Sequence, residues 1–248
     1  KLVHISTDDV FDGKSQKPYT EFDETHPKTA YGKSKLAGER YVKEFTYKHF
    51  IIRSTWVYGL GNNFINQLLE KVDQGENLSI AGDQFGSPTS AKELARFILH
   101  LIQTNEYGTY HATNKGVCSR FEFASEILRL TGKQVEMKPV VTHMSDFSRE
   151  RPAFSVLDNF IMTMTPVYDF PDWKESLKEY MEILEAGFAE IQVGVIPPTL
   201  DQVVLGDLKR TRLGDVRTVF IFGCNDGVIP TPLASGGLIT DREKEALV

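Results

Sequence analysis

Several kinds of residue pattern are scarce or missing in this sequence. Cys118 and Cys224 are its two cysteines, and they lie far apart without metal-ligand spacing. They predict reduced thiols in a cytoplasmic protein, not a disulfide framework. The histidines are scattered, with none in an H-x-x-x-H pattern, so we expect no structural metal site. No apolar run approaches the ~20 residues of a membrane span, and Lys1 opens no signal-peptide pattern.

The charge balance narrows the function classes further. The net charge of -6 gives no indication of a non-specific nucleic-acid binder. The hydrophobic content of 41% and charged content of 25% are those of an ordinary globular protein. The sequence has no initiator Met, and Lys1 leads straight into a strand-like run. We therefore expect that it begins partway through a larger protein.

The order of predicted elements indicates an α/β fold. Residues 2–6 and 50–55 are short apolar runs typical of buried strands. A helix is predicted from about Ala30 to Tyr47, after the possible N-cap Thr29, and an amphipathic helix begins at Phe64. This β-α-β-α pattern predicts a parallel sheet covered by helices. Further strands are predicted at 78–80, 108–112 and 135–141. Further helices are predicted at 91–103, after the possible cap Ser90, at 121–130, and from 171 or 172 to about 184. Ser119 to Glu122 resembles a capping box for the helix at 121–130, which Gly132 would end.

Tyr31 and Lys35 are the first pair of residues that could take part in catalysis. They lie one helical turn apart on the same face of the predicted helix. A nearby ammonium favours a phenolate, so Lys35 is expected to lower the pKa of Tyr31 towards the range of a proton donor. The plainer alternative is a packed tyrosine beside a solvated lysine, because a Y-x-x-x-K spacing is common by chance.

Polar and aromatic residues follow the two predicted strands. Thr7 and Asp8 come directly after the first strand, and Trp56 comes directly after the second. Ligands of open α/β sheets bind beyond the carboxyl ends of the strands, so these residues could hold a substrate. The alternatives are a simple turn for Thr7 and Asp8 and a core or lid aromatic for Trp56.

Six motifs occur together in a characteristic order. They are Ser6-Thr7-Asp8-x-Val10-Phe11-x-Gly13, Tyr31-Gly32-Lys33-Ser34-Lys35-Leu36-Ala37-Gly38-Glu39, Arg53-x-x-Trp56-Val57-Tyr58-Gly59, Asn62-Asn63-Phe64, Asp83-Gln84-Phe85-Gly86-Ser87-Pro88-Thr89, and Arg151-Pro152 near Ser155-x-Leu157-Asp158. Over residues 1 to about 185 this series resembles the dTDP-4-dehydrorhamnose reductases, which are extended short-chain dehydrogenases/reductases. The resemblance implies a partial Rossmann-type parallel sheet with helices and a small α/β substrate-binding subdomain.

The resemblance also implies a reaction and roles for the site residues. Members of this family reduce the C4 ketone of dTDP-4-dehydrorhamnose with NADPH or NADH, giving dTDP-L-rhamnose. Tyr31 would be the proton donor, while Lys35 would lower its pKa and bind the nicotinamide ribose. Thr7 would hydrogen-bond the reacting oxygen, Asp8 would lie beside it in the sugar site, and Trp56 would pack against the nucleotide sugar. A homodimer is left open.

Two departures from the family pattern stand out. Asp9 replaces the usual tyrosine of the Ser-Thr-Asp-Tyr-Val-Phe motif. The Gly-rich pyrophosphate turn of the family's amino-terminal half is also missing from this sequence, since no G-x-G-x-x-G follows a strand. Because that turn is the main anchor of the pyrophosphate, we expect this chain alone to bind the nicotinamide cofactor poorly.

The sequence after about residue 185 has a different character, which predicts a second domain at 186–248. Its segments Pro197-Pro198-Thr199-Leu200-Asp201-Gln202-Val203 and Gly223-x-Asn225-Asp226-Gly227 resemble the AddB component of the AddAB-type helicase-nucleases. The resemblance implies a short α/β tail fragment. It contains no G-x-x-x-x-G-K-[ST] loop, so no ATPase site is expected there.

Three functional hypotheses remain open from the sequence. The first is a nucleotide-sugar ketoreductase. The second is a non-catalytic remnant or partner-binding relative of such an enzyme, which cofactor binding would distinguish from the first. The third places the function in the tail, as part of a DNA-repair helicase-nuclease, and salt-dependent binding to DNA ends would support it.

Overall fold

The computed structural model of the protein describes residues 1–142, 152–165 and 167–189, with the side chains of the last helix described as far as residue 186. Residues Lys1–Gln192 form one compact unit. The strands are β1 (Leu2–Thr7), β2 (His49–Ser54), β3 (Val57–Tyr58), β4 (Leu78–Ala81), β5 (Phe85–Gly86), β6 (Thr89–Ser90), β7 (Gly108–His111), β8 (Cys118–Ser119) and β9 (Met137–Val140). The helices are α1 (Ala30–Phe45), α2 (Phe64–Asp73), α3 (Ala91–Leu101), α4 (Arg120–Thr131), α5 (Phe160–Met164) and α6 (Trp173–Ala189).

The main sheet is parallel and has the order β1-β2-β7. Ile5 pairs with Ile52, which in turn pairs with Tyr110, so the strands run in register beside one another. Strand β2 is buried along almost its whole length, as expected for a parallel strand covered on both faces. Its apolar residues form a core with helix α3, centred on Phe50, Ile52 and Phe97. The predicted α/β class with a parallel sheet is therefore confirmed.

A second group of elements packs around another core. It contains the parallel pair β4–β9, the parallel pair β3–β6 and the antiparallel pair β5–β8. Helices α2, α4 and α6 cover these short strands, and their buried residues include Ile65, Ile127 and Leu177. Strand β3 directly follows the loop that leaves β2, and Trp56 of that loop packs against this second core.

Local sequence signals explain most helix boundaries. Thr29 caps α1 by accepting a hydrogen bond from the Gly32 amide at 2.8 Å, as predicted. Ser119 and Glu122 form the predicted capping box of α4, and Gly132 ends this helix in the left-handed conformation at φ 65°. Ser90 is the N-cap residue of α3, as predicted, but its side chain makes no capping hydrogen bond.

The predicted domain boundary near residue 185 stays a prediction. Helix α6 continues past it to Ala189. The predicted tail fragment and its helicase-nuclease resemblance lie outside the described residues, apart from the end of α6. Within the part of the chain that the structure describes, no helix is both long and apolar enough to cross a membrane.

Candidate active site

A cleft of about 1300 Å³ opens beside the carboxyl ends of β1 and β2. Four of the five predicted site residues line it, namely Thr7, Asp8, Tyr31 and Trp56. The fifth, Lys35, is not among its lining residues. The structure thus brings together residues from the end of β1, the start of α1 and the loop after β2.

Thr7 and Asp8 form a hydrogen-bonded corner where β1 ends. The Thr7 hydroxyl accepts from the Asp9 amide at 3.2 Å and donates to Asp8 Oδ1 at 2.9 Å. Asp8 Oδ2 accepts from the Thr55 hydroxyl at 2.8 Å. Burial raises the pKa of the Asp8 carboxyl, while the hydroxyls of Thr55, Thr7 and Ser155 oppose that shift. Asp8 therefore links the ends of β1 and β2 as well as lining the cleft.

Tyr31 stands at the first turn of α1, which packs tightly on the segment after β1. At Gly32, a Cβ atom would lie only 2.1 Å from the Asp9 carbonyl oxygen, so only glycine permits this approach. The Tyr31 ring remains 55% exposed and faces the cleft. The Thr7 side chain favours the phenolate and so acts to lower the pKa of the Tyr31 hydroxyl. A hydroxyl pair of this kind could contact one substrate oxygen together.

The prediction that Lys35 lowers the pKa of Tyr31 is wrong for this structure. The pKa of Tyr31 is raised, first because the phenol is partly removed from water and then because Asp8 and Asp9 repel a phenolate. The Thr7 side chain opposes the shift only in part. The two carboxylates, not the ammonium, are thus the charges that act on the phenol.

Lys35 instead lies next to His4 and Glu39. Partial burial lowers the pKa of the Lys35 ammonium, and the Glu39 carboxylate counteracts this. The Lys35 charge contributes in turn to lowering the pKa of His4, after the larger effect of burial. The helical spacing of Tyr31 and Lys35 is as predicted, but the two side chains have different surroundings.

The Trp56 ring lines the cleft, and the backbone of this residue has an unusual conformation. Its φ of 47° is in the left-handed region, which a bulky residue rarely adopts. Gly86 lies close to the indole, since a Cβ there would come within 2.6 Å of it. The guanidinium carbon of Arg120 lies 3.6 Å from the centroid of the Trp56 ring. Trp56 also packs on the core next to Phe123, as the core alternative predicts, while its contact with a substrate stays a prediction.

A buried ion pair joins the helix and strands that carry the site residues, and sequence reasoning missed it. Glu39 of α1 accepts from Arg53 of β2 at 2.9 Å and 2.7 Å and from the Ser6 hydroxyl of β1 at 2.5 Å. The signal that could have found it is Arg53 itself, because a charged residue in a buried strand requires a counter-charge. Sequence reasoning also missed Thr55, Ser155 and Arg120 as residues of the site.

The residues present fit only one end of a nicotinamide cofactor. The exposed phenol of Tyr31 lines the cleft, and the half-buried Lys35 lies one turn further along α1. The sequence contains no Gly-rich turn that could hold a pyrophosphate. Arg151 of the predicted Arg151-Pro152 motif lies outside the described residues. No group of three or more His, Cys, Asp or Glu side chains in the described residues could hold a metal ion.

Comparison with known proteins connects this site to a family. The family described as RmlD substrate binding domain matches residues 1–186. The spore coat polysaccharide biosynthesis protein SpsK of Bacillus subtilis is 40% identical over 183 residues, covering 73% of this chain and 64% of the relative.

Two solved structures are similar to most of this chain. A dTDP-4-dehydrorhamnose reductase from Clostridium acetobutylicum has a TM-score of 0.71 and 46% identity, with 74% of this chain and 65% of that one covered. A dTDP-4-dehydrorhamnose reductase from Bacillus anthracis in complex with NADP has a TM-score of 0.71 and 39% identity, with coverage of 74% and 66%. The chain therefore spans about two thirds of the length of these relatives.

Proposed function

The chain belongs to the family of RmlD substrate-binding domains, and on this premise we propose that its cleft binds a dTDP-linked 4-keto sugar for reduction at C4. The observation that carries the proposal is the convergence of Thr7, Tyr31 and Trp56 on one cleft. The relatives named as dTDP-4-dehydrorhamnose reductases support the same substrate class. The product would be dTDP-L-rhamnose, and the name of the B. subtilis relative favours use in a surface polysaccharide.

Tyr31 would act as the proton donor of the reaction. When bound, NADPH or NADH supplies the hydride, and its arrival at the ketone carbon leaves negative charge on the oxygen. The raised pKa of Tyr31 keeps the phenol protonated near neutral pH, so its proton is available to that oxygen. The Thr7 hydroxyl would then stabilise the remaining phenolate by turning its hydrogen from Asp8 Oδ1 to the phenolate oxygen.

The other predicted residues would bind and orient the substrate or the cofactor. Trp56 offers an aromatic face for packing against the sugar. Asp8 would contribute through the corner that it forms with Thr7 and Thr55. Lys35 would hold the nicotinamide ribose, as the family resemblance implies. The homodimer stays a prediction, as does the absence of a nucleic-acid partner.

Turnover of dTDP-4-dehydrorhamnose, followed by oxidation of NADPH, tests the role of Tyr31. Tyr31→Phe removes only the hydroxyl, and we expect it to reduce turnover by ~100-fold or more. Tyr41→Phe is the matched control, because Tyr41 lies on the same helix, is exposed and does not line the cleft. Near-normal turnover by Tyr31→Phe, measured at several NADPH concentrations, would remove this residue from the mechanism.

A further inference from the structure

A row of buried polar side chains crosses the main sheet. Ser6 of β1, Arg53 of β2 and His111 of β7 are partners in the strand register, so their side chains lie on one face of the sheet. All three residues are buried. Ser6 and Arg53 both hydrogen-bond the Glu39 carboxylate of α1. The row therefore extends from the ion pair to the His111 imidazole.

The hydrogen bonds of His111 determine which ring nitrogen carries the proton. Nδ1 lies 3.0 Å from the Tyr19 carbonyl oxygen and 3.1 Å from that of Asp158. Because a carbonyl oxygen can only accept, Nδ1 must be the protonated nitrogen. Burial lowers the pKa of the imidazole to about 3, with the charge of Arg53 adding to it, so the ring is neutral near pH 7. Nε2 then has a free lone pair and can only accept.

Two atoms of the row have no hydrogen-bond partner among the described residues, namely Arg53 Nη1 and His111 Nε2. Arg53 uses Nε and Nη2 for Glu39, so Nη1 is a remaining donor. Both side chains also pack on the Phe11 ring, with the guanidinium carbon 5.2 Å and the imidazole centroid 5.6 Å from its centroid. A buried donor and a buried acceptor thus lie on the same face of the sheet, where each requires a partner.

We propose that one buried water molecule joins Arg53 Nη1 to His111 Nε2, and that His111 in this way positions the Arg53 guanidinium against Glu39. The water accepts from Nη1 and donates to Nε2, which are not bonded to each other. Buried waters commonly satisfy about two to four such groups. His111 is a positioning residue, because it acts through the ion pair on α1 and on Ser6, which directly precedes Thr7. The inference is independent of the proposed substrate, since it concerns only residues of the chain itself.

The wild-type protein tests the water and the protonation of the ring directly. ¹⁵N NMR of the histidine side chains at pH 7, with the His111 signals assigned by their loss in His111→Asn, should show a protonated Nδ1 and an unprotonated Nε2. A crystal structure should show a water within hydrogen-bond distance of Nε2 and Arg53 Nη1. A protonated Nε2, or a direct bond between the two side chains with no water, overturns the proposal.

A mutant cycle followed by urea denaturation tests the positioning role. His111→Asn keeps an amide nitrogen near the place of Nδ1 but has no acceptor near that of Nε2. It should lower the folding equilibrium constant ~10-fold in the wild type, but less than ~3-fold when Glu39→Leu and Arg53→Met remove the ion pair. His111→Gln has an amide oxygen near the place of Nε2, so its effect should be the same in both backgrounds.

His49→Asn is the matched control of the cycle. The Nδ1 atom of His49 also lies near a carbonyl oxygen, 2.6 Å from that of Thr46, and this residue is at the opposite end of β2 from Arg53. Its substitution should have the same effect with and without the ion pair. An equal effect of His111→Asn in the two backgrounds would overturn the positioning role.

Discussion

Replacing Glu39 with glutamine removes one charge from the ion pair that joins the three elements of the site. The Glu39 carboxylate of α1 is 1% exposed, and Arg53 of β2 is 3% exposed. Glu39 also accepts a hydrogen bond from Ser6, the residue before Thr7. The pair therefore fixes α1, which carries Tyr31, against the strands that lead to Thr7 and Trp56. Glu39→Gln keeps the size of the side chain but leaves Arg53 as an uncompensated buried cation.

The expected loss of stability is large. Breaking a buried ion pair by removing one partner costs about 3–5 kcal/mol. Glutamine retains one acceptor oxygen for Arg53, so we expect Glu39→Gln to lower the free energy of unfolding by about 3 kcal/mol. For a chain of this length that corresponds to a fall in Tm of roughly 6–12 °C.

The pH dependence of this effect has a defined sign. Burial alone would raise the pKa of Glu39, but the hydrogen bonds and charge of Arg53 and the Ser6 hydroxyl hold it below its ordinary value of 4.5. The pair then contributes stability above pH 4.5, and this is lost as the pH falls through the lower folded-state pKa. Urea denaturation followed by circular dichroism should show the wild type and Glu39→Gln converging at low pH.

Two further variants separate this explanation from general damage to α1. Glu44→Gln changes an exposed carboxylate of the same helix and should leave stability within ~0.5 kcal/mol of the wild type. The double variant Glu39→Leu with Arg53→Met removes both charges and should recover most of the loss. A Glu39→Gln protein as stable as Glu44→Gln would refute the reasoning.

Three other predictions follow from the structure. Gly86→Ala places a Cβ 2.6 Å from the Trp56 indole. By displacing the ring it should weaken the binding of dTDP-L-rhamnose, measured by calorimetry, roughly tenfold. Unchanged affinity would contradict this, because it would mean that the indole can move without any effect on binding. Burial, with the charge of Arg53 adding to it, lowers the pKa of His111 to about 3, so below about pH 6.5 this histidine binds a proton in the unfolded chain but not in the folded one. Lowering the pH from 7 to 5 should therefore reduce the free energy of unfolding by about 2 kcal/mol, and the reduction should be smaller in His111→Gln. NADPH should bind this chain more weakly than micromolar, since no Gly-rich turn holds its pyrophosphate; tight binding in a fluorescence titration would contradict this.

Much of the fold could be predicted because local signals determine it. The apolar runs at β1 and β2, the Thr29 cap and the Ser119–Glu122 capping box act over a few residues, and each appears where expected. The predicted strand at 135–141 is shorter, Met137–Val140, because its extent depends on pairing with β4. Pairing of this kind joins residues distant in sequence, and a local pattern cannot define it.

The site could be predicted only in part for the same reason. Thr7, Asp8, Tyr31 and Trp56 were predicted to meet, and they line one cleft. The local spacing of Tyr31 and Lys35 suggested that the ammonium controls the phenol. In the structure Asp8 and Asp9, which follow β1, act on the phenol, whereas Glu39 of α1 acts on the ammonium. The stacking of Arg120 on Trp56 joins two segments far apart in the chain, so neither segment indicated it alone.

Calorimetric titration of the 248-residue chain with dTDP-L-rhamnose, with no nicotinamide cofactor present, tests the proposed sugar-nucleotide site most directly. We expect saturable binding to the wild type and at least tenfold weaker binding to Trp56→Ala, because the indole lines the cleft and packs against the sugar. Val117→Ala, an exposed apolar residue outside the cleft lining, is the control and should bind as the wild type does. Absence of binding to the wild type, or equal affinity in Trp56→Ala, would contradict the assignment of this cleft to a dTDP-linked sugar.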